Sequence, residues 1–495
     1  MVFEEEGWVK LLYRVWGWVM VVIVGVGMMS MVCVPANGAV ICVPGDASTI
    51  QAGIDLAVDG DTVRIGSGVW RGDGNRDIDV KGKQIVIESE AGPESCIIDI
   101  EGTEADSFTG FIIDSTENEM TCLKGITIKN GSGKLMQFTG RKAICGGAAI
   151  ILGGSPKILN CHFIRNAVSH FQYLAFGGAL YISDSSACVS NCNFVDNFAS
   201  SSSGAISCSG SLSQVTIESS SFVNNSSGGG IVCCGPGVVT LQSCFFTNNR
   251  TFSEAGVVFI SSDENNAKNA INSCTFIGNV VESGSSLVFQ GRGGAVYCGG
   301  TEIVNCMFFN NSSKYGGAVY CYDNTLISNC VFYNNCADIG GAIYCSTWYY
   351  ENCSISQSTF VNNISNSPGG AIYIPQLLSP ITITNCIFRG NYPTQIEPSS
   401  GDPDELPDVT YCNVEGGYRG FRNIDVDPLF CSDGPDRFFL SQITSGQSQD
   451  SPCLNQGSTD ASLACVPEFD PPICMDAFTT RTDRITDAGT VDMGF

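Results

Sequence analysis

The sequence has few of the residues that enzymes use for acid–base and metal chemistry. Only two histidines occur, His162 and His170, and charged residues make up 15% of the 495 residues. The sequence contains neither two closely spaced cysteine pairs nor a cysteine–histidine pattern, and it therefore does not predict a zinc site. Basic residues number 24 against 49 acidic residues, which gives a net charge of −25. Because such a surface repels polyanions, nucleic acid is not expected as a partner.

The amino terminus carries the one long uncharged stretch. Trp16–Val34 follows the basic residues Lys10 and Arg14, and the small residues of Pro35–Ala39 come after it. A basic flank, an apolar run and a small-residue exit are typical of a secretory signal peptide. The run is also long enough to span a bilayer, so an uncleaved anchor is the alternative. The sequence therefore predicts a secreted or cell-surface protein that meets a membrane only through residues 1–39, if these are retained.

Two short motifs alternate through the middle of the chain. Gly-Gly-Ala followed by an aliphatic residue begins at Gly146, Gly177, Gly293, Gly316, Gly340 and Gly369. Phe-x-x-Asn occurs nine times, with the phenylalanines 24 to 32 residues apart. The phenylalanines are Phe163, Phe194, Phe222, Phe246, Phe276, Phe308, Phe332, Phe360 and Phe388, and the asparagines are Asn166, Asn197, Asn225, Asn249, Asn279, Asn311, Asn335, Asn363 and Asn391. Such a variable spacing indicates a solenoid with loops inserted at its corners.

A third residue type recurs in the repeats, at the position two residues before each motif phenylalanine. It is Cys161, Cys192, Cys244, Cys274, Cys306, Cys330 or Cys386, and Ser220 or Ser358 in the two remaining units. Residues two apart share one face of a strand, so stacked coils about 4.8 Å apart would place each side chain over its equivalent. The motifs then form cysteine, phenylalanine and asparagine ladders, with asparagine at the turn in left-handed backbone and glycine at the opposite corner. The pattern predicts an all-β, right-handed, single-stranded parallel β-helix.

The two ends of the solenoid are predicted to differ from its middle. Ser48 and Gln51 have capping-box spacing, and Ile50, Ile54 and Ala57 share a helical face, which indicates a short capping helix. We divide the chain into residues 1–39, the signal or anchor; 40–145, the cap and first coils; 146–391, the repeats; and 392–495, the last coils and an irregular, acidic, Pro/Asp-rich cap.

The alternating motifs resemble the repeats of chlamydial polymorphic outer-membrane proteins, which pair GGA-aliphatic with FxxN. The resemblance covers roughly residues 146–391. The segments VPGD…TIQAGID…GDTV near the start and NIDVDPLF at Asn423–Phe430 look like the ends of secreted bacterial β-helix proteins of the pectin-lyase-like class. The resemblance implies an exported β-helix. It differs in the tail, because no ten-residue alternating strands follow Asn391.

Three functions fit these observations. The first is a non-enzymatic adhesion or binding module, monomeric, whose partner is a polysaccharide or a cell-surface protein. Its ligand-binding residues would be the tyrosines that follow the Gly-Gly-Ala motif, which form an exposed column or a packing ladder: Tyr181, Tyr297, Tyr320, Tyr344 and Tyr373. The second is a polysaccharide lyase or glycoside hydrolase, for which we identify no catalytic residue. The third is an autotransporter-like passenger without its barrel.

The sequence predicts no cofactor and no metal. Calcium is the one ion to consider, because the tail is rich in aspartate, at Asp402, Asp404, Asp408, Asp425, Asp427 and Asp433. These residues lack the fixed spacing of a calcium-binding loop, and turns that close the solenoid explain them equally well. The seven ladder cysteines are expected to be buried free thiols, because strand stacking does not favour the right-angle torsion of a disulfide.

Overall fold

The computed structural model describes residues 38–115, 121–138, 140–252, 256–261, 269–282, 291–346, 353–375, 381–400, 406–431, 437–466, 473–483, 485–486 and 489–495. In these ranges the chain forms a parallel β-helix, in which each coil adds one strand to each of up to four sheets. The predicted fold class is therefore confirmed. The predicted signal or anchor lies outside the described residues, apart from its last two positions. No helix in the described ranges is long and apolar enough to cross a membrane.

Sheets A and B are the two longest in the described residues, with 14 and 13 strands. The strands of sheet A are Val40–Val43, Thr62–Ile65, Val86–Ser89, Cys122–Lys124, Lys157–Leu159, Cys188–Ser190, Gln214–Glu218, Val238–Gln242, Asn269–Asn272, Thr301–Val304, Leu326–Ser328, Cys353–Ser356, Ile381–Thr384 and Asp408–Thr410. The strands of sheet B are Gly68–Trp70, Cys96–Asp99, Thr127–Lys129, His162–Ile164, Asn193–Val195, Ser221–Val223, Phe245–Thr247, Thr275–Ile277, Met307–Phe309, Val331–Tyr333, Thr359–Val361, Ile387–Arg389 and Asn413–Val414.

Sheets C and D complete the coils, with 12 and 8 strands in the described ranges. The strands of sheet C are Ile78–Asp79, Phe111–Ser115, Ala149–Gly153, Leu180–Ser183, Ile206–Ser209, Val232–Cys234, Val258–Ile260, Val296–Gly299, Val319–Tyr322, Ile343–Ser346, Ile372–Ile374 and Ile396–Pro398. The strands of sheet D are Ala167–Val168, Phe198–Ala199, Ser226–Ser227, Arg250–Thr251, Val280–Val281, Ser312–Tyr315, Cys336–Ile339 and Ile364–Ser365. A small sheet of Lys134–Phe138, Arg141–Cys145 and Leu174–Phe176 lies beside the coils, and Cys465–Val466 pairs with Ile473–Cys474.

The interior of the solenoid is a stack of phenylalanine rings. The nine motif phenylalanines are fully buried, and neighbouring ring centroids lie 4.5 to 5.0 Å apart with interplanar angles of at most 18°. Each ring is held in register because the motif phenylalanines pair directly in sheet B, as Phe332 does with Phe308 and Phe360. Stacked rings stabilise the fold by more than the apolar area that they bury. This column is therefore a large part of the core.

The motif asparagines form a continuous hydrogen-bonded ladder inside the corner between sheets B and D. The Oδ1 atom of Asn335 accepts from the backbone N–H and from Nδ2 of Asn311, both at 3.0 Å. Its Nδ2 donates to the carbonyl of Phe308 and to Oδ1 of Asn363, both at 2.9 Å. The left-handed residue is the one before each ladder asparagine, such as Asn334 with φ 59°, and not the ladder asparagine itself. The preceding residue makes the turn, which leaves the ladder side chain pointing inward.

The motif cysteines lie at the corner between sheets A and B, one residue before each sheet B strand. All seven are buried free thiols. The Cys330 thiol donates to the carbonyl of Ser328 and accepts from the backbone N–H of Cys306. Where serine replaces cysteine, its hydroxyl oxygen takes over as the acceptor. The Oγ atom of Ser358 accepts from the backbone N–H of Cys330 at 3.1 Å. One further rung, Cys412, extends the ladder beyond the predicted seven.

The Gly-Gly-Ala motif turns the chain from sheet D into sheet C. Its first glycine has left-handed backbone, as Gly316 does with φ 66°. Its second glycine leaves no room for a side chain, since a Cβ atom at Gly317 would collide with the carbonyl oxygens of Gly341 and Cys336. This agrees with the expected role of glycine at that corner.

The two ends of the solenoid do not follow the repeat pattern. The helix Ile50–Leu56 buries Ile50 and Ile54, and its cap is Thr49, whose hydroxyl accepts from the backbone of Ala52, where the spacing had indicated Ser48. At the other end, the tail folds back over the outer side of sheet B. Phe438 packs on Tyr333 with ring centroids 5.3 Å apart. The sheets run through residues 145 and 391 without a break, and the four-part division of the chain stays a prediction.

Candidate functional site

The predicted tyrosines lie on the outer face of sheet C. Tyr297, Tyr320, Tyr344 and Tyr373 occupy the same register position of four successive coils. Phe259 extends this column by one coil. Tyr181 belongs to the same register but is separated from the others, because Ser207 and Cys233 fill the positions between it and Phe259.

Of the two alternatives, an exposed column and a packing ladder, the exposed column does not describe two of the five rings. Tyr181 is 5% exposed because Phe138 and Phe176 of the small three-stranded sheet cover it. Tyr320 is 6% exposed because its neighbours in the column enclose it. Tyr297, Tyr344 and Tyr373 are half-buried, so these three are the rings that a ligand can reach.

The ring geometry combines a packing ladder with an accessible edge. Tyr320 and Tyr344 stack at 4.8 Å with an interplanar angle of 9°. The rings at the two ends are tilted, by 57° between Tyr297 and Tyr320 and by 43° between Tyr344 and Tyr373. Since stacked rings use their faces on each other, this column offers ring edges and phenol oxygens to the outside.

Three further side chains join the column and were not singled out from the sequence. Tyr315, the last residue of its sheet D strand, meets Tyr344 edge-on at 5.3 Å, and Tyr322 lies 5.5 Å from Tyr297. The Arg292 guanidinium lies over the Tyr297 and Tyr320 rings, at 5.9 and 5.4 Å from their centroids. We call the resulting surface the aromatic face, which consists of Arg292, Tyr297, Tyr315, Tyr320, Tyr322, Tyr344 and Tyr373.

The sequence did contain a signal for these additional residues. Arg292 and Tyr315 each stand immediately before a Gly-Gly-Ala motif, and they pair across neighbouring coils. Tyr322 is two residues after Tyr320, and therefore emerges on the same side of its strand. Arg292 and Tyr315 therefore share one position when the repeats are aligned on the Gly-Gly-Ala motif.

Burial changes the acidity of the enclosed phenols. It raises the pKa of Tyr320 to about 12, and it also raises the pKa of Tyr344 and of Tyr181. The Arg292 charge acts in the opposite direction on Tyr320 but is the smaller effect. These phenols therefore stay protonated throughout the physiological range and act there as neutral hydrogen-bonding groups.

The raised pKa of Tyr320 predicts a loss of stability at alkaline pH. An unfolded tyrosine ionises near pH 10, so its contribution to folding is complete below that pH and is lost as the pH rises toward about 12. Urea unfolding at about pH 9 and about pH 11.5 should show a loss of roughly 2 kcal/mol that the Tyr320→Phe variant does not show. The buried thiols affect both proteins equally. An identical pH dependence in the two proteins would exclude Tyr320 as the responsible group.

Comparison with known proteins supports the reading of the repeats. The model of the Chlamydia polymorphic membrane protein (Chlamydia_PMP) repeat matches residues 305–322, 329–346 and 357–375. These three segments are similar to the repeats of that family. The matched segments contain Tyr320, Tyr344 and Tyr373, and thus most of the column. Among curated protein sequences, none matches the chain significantly.

Solved β-helix enzymes are similar to the chain in structure. One is the catalytic unit of a GH87 α-1,3-glucanase from Streptomyces thermodiastaticus strain HF3-3, with 13% identity over 79% of this chain and 70% of that chain, at a TM-score of 0.44. Another is a mutant of the PL6 family alginate lyase AlyGC, with 12% identity over 83% of this chain and 57% of that chain, at a TM-score of 0.42. Likeness at this level says nothing about the activity of this chain.

Two polar groups away from the aromatic face, the carboxylate of Asp99 and the ring of His162, contact neighbouring side chains. Asp99 accepts from Arg71 and Asn130 and lies 3.4 Å from Lys129. Burial alone would raise the pKa of Asp99, but hydrogen bonds from Asn130 and Arg71 outweigh it and hold the pKa below its usual value. His162 contacts Asn193, and burial lowers its pKa.

Two aspartates of the acidic tail make structural contacts. Asp425 pairs with Arg389 at 2.9 Å, and Asp427 accepts from the backbone N–H of Leu429. Asp408 lies at the start of the last sheet A strand, with its side chain exposed. The other three tail aspartates, Asp402, Asp404 and Asp433, lie outside the described residues.

Proposed function

We propose that this protein is an exported surface module that binds a polysaccharide along its aromatic face. The observation that carries the proposal is the column Tyr297–Tyr320–Tyr344–Tyr373, whose centroids follow one another at 4.8 to 5.5 Å along the solenoid axis. A regular row of identical groups suits a regular, extended polymer. The polymorphic membrane protein repeats support a surface location for such a module.

The chemistry of the aromatic face suits sugar hydroxyls. Tyrosine combines an apolar body with a hydroxyl that both donates and accepts a hydrogen bond, and a guanidinium adds further donors. The net charge of −25 disfavours polyanions, so we propose a neutral glycan as the ligand.

A glycan array probed with the full chain, followed by calorimetry on the strongest neutral binder, tests this proposal. Replacing Tyr297, Tyr344 and Tyr373 with serine should weaken binding about 100-fold, at roughly 1 kcal/mol for each lost contact. Tyr320 is kept in this variant because it is buried. Phe171→Ser is the matched control, since Phe171 is an aromatic side chain that is 81% exposed and outside the aromatic face.

Three outcomes would contradict the proposal. The triple variant could bind the glycan as tightly as the unaltered chain, or the array could show no neutral glycan that binds. Incubation with the glycan could also release shorter products, which would favour the lyase or hydrolase alternative. Far-ultraviolet circular dichroism of each variant establishes that the β-helix is still folded.

A further inference from the structure

Three cysteine side chains converge inside the solenoid, away from the cysteine ladder. The Sγ atoms of Cys321, Cys345 and Cys353 all lie within 4.8 Å of one another, and all three residues are buried. Within the described ranges, this is the one place where three potential metal-ligating side chains come so close. We call it the thiol triad.

The fold brings the triad together from two sheets. Cys321 and Cys345 are register partners in neighbouring strands of sheet C. Cys353 is the first residue of its sheet A strand, and its Sγ reaches the same interior corner from the other side. Three sulfur atoms from two sheets thus converge on one point.

The triad differs from the ladder because three sulfur atoms meet at one point. Ladder thiols bond to the backbone, as Cys330 does with the carbonyl of Ser328. In the triad, the Sγ atoms of Cys321, Cys345 and Cys353 lie within 4.8 Å of one another. The three sulfurs therefore face each other, as ligands around a shared ion would.

We propose that the thiol triad is a three-coordinate site for a soft monovalent metal ion of the Cu(I) class. Thiolate sulfur selects soft ions, with Cu(I) and zinc foremost among the common metals. Zinc structural sites use four protein ligands in a tetrahedron, and the triad has three. The ligand thiols release their protons when the ion binds, and the bound ion adds to the stability of the folded state.

The test is an anaerobic titration of the reduced full chain with Cu(I), using bathocuproine disulfonate as the competing chelator. X-ray absorption at the copper edge of the first equivalent should report three sulfur ligands. Cys353→Ser should weaken the tight site about tenfold or more and reduce the sulfur count. Cys330→Ser is the matched control. It also removes one buried thiol, at a ladder where serine already occurs, and it should leave the first equivalent unchanged.

Several results would overturn the proposal. They are two sulfur ligands on the first equivalent, a site that survives Cys353→Ser, a site lost in Cys330→Ser, or displacement of the bound Cu(I) by an equal concentration of zinc. The sulfur count of the unaltered protein decides the matter even if Cys353→Ser does not fold.

Discussion

Replacing Asn335 with alanine should lower the free energy of unfolding by about 4 kcal/mol. The side chain of Asn335 makes four hydrogen bonds inside the solenoid, to Phe308 and Asn311 of the preceding coil and to Asn363 of the following coil. Without it, the buried backbone N–H of Asn311 loses its acceptor and the carbonyl of Phe308 loses a donor, and neither can reach water. Buried groups left unpaired cost about 1–3 kcal/mol each. Urea denaturation followed by circular dichroism measures the change.

The adjacent residue provides the control for this variant. Asn334 is also an asparagine, but its side chain is exposed and its backbone is left-handed, which glycine adopts freely. Asn334→Gly should therefore change the free energy of unfolding by less than about 1 kcal/mol. If Asn335→Ala and Asn334→Gly were equally mild, the asparagine ladder would not be a stabilising element.

Truncating Phe332 to alanine should be about as costly, at roughly 3–5 kcal/mol. The ring is fully buried, with Phe308 and Phe360 stacked on its two faces at 4.7 Å. Its removal opens a cavity between two rings whose positions are fixed by the strands of sheet B, so the neighbours cannot collapse into the space. Because each coil contacts mainly its neighbours, the weakened region should be the coils around residues 308–360.

Two variants separate the loss of the ring from the loss of apolar area. Phe332→Leu keeps a large apolar side chain and should cost about half as much as Phe332→Ala. Phe171→Ala removes an exposed ring and should stay within about 0.5 kcal/mol of the unaltered protein. Equal losses for Phe332→Ala and Phe171→Ala would contradict a core built from stacked rings.

The repeated part of the fold could be predicted because each motif residue has one simple physical role. Phe332 must be buried, Asn335 must satisfy backbone groups, and Gly317 must leave room for the next coil. These requirements recur in each of the nine Phe-x-x-Asn repeats, so they are visible in the sequence as a spacing. The exact position of the left-handed residue was not visible, because Asn334 and Asn335 are the same residue type and only the geometry distinguishes the turn from the ladder.

The candidate site was only partly predictable for a related reason. Register placed Tyr297, Tyr320, Tyr344 and Tyr373 in one column, but exposure depends on what packs over each ring. Tyr181 is covered by residues of a small sheet that does not follow the repeat. The thiol triad was missed because Cys353 belongs to no motif and meets Cys345 only across the interior.

The central functional claim is that a neutral glycan lies along the aromatic face, and hydroxyl-radical footprinting with mass spectrometry tests it most directly. The full chain is exposed to radicals with and without the strongest neutral glycan from the array. The account predicts that modification of Tyr297, Tyr344 and Tyr373 falls when the glycan is bound, while modification of the exposed reference Phe171 is unchanged. Protection on another face of the solenoid, with these three tyrosines modified as before, would contradict it.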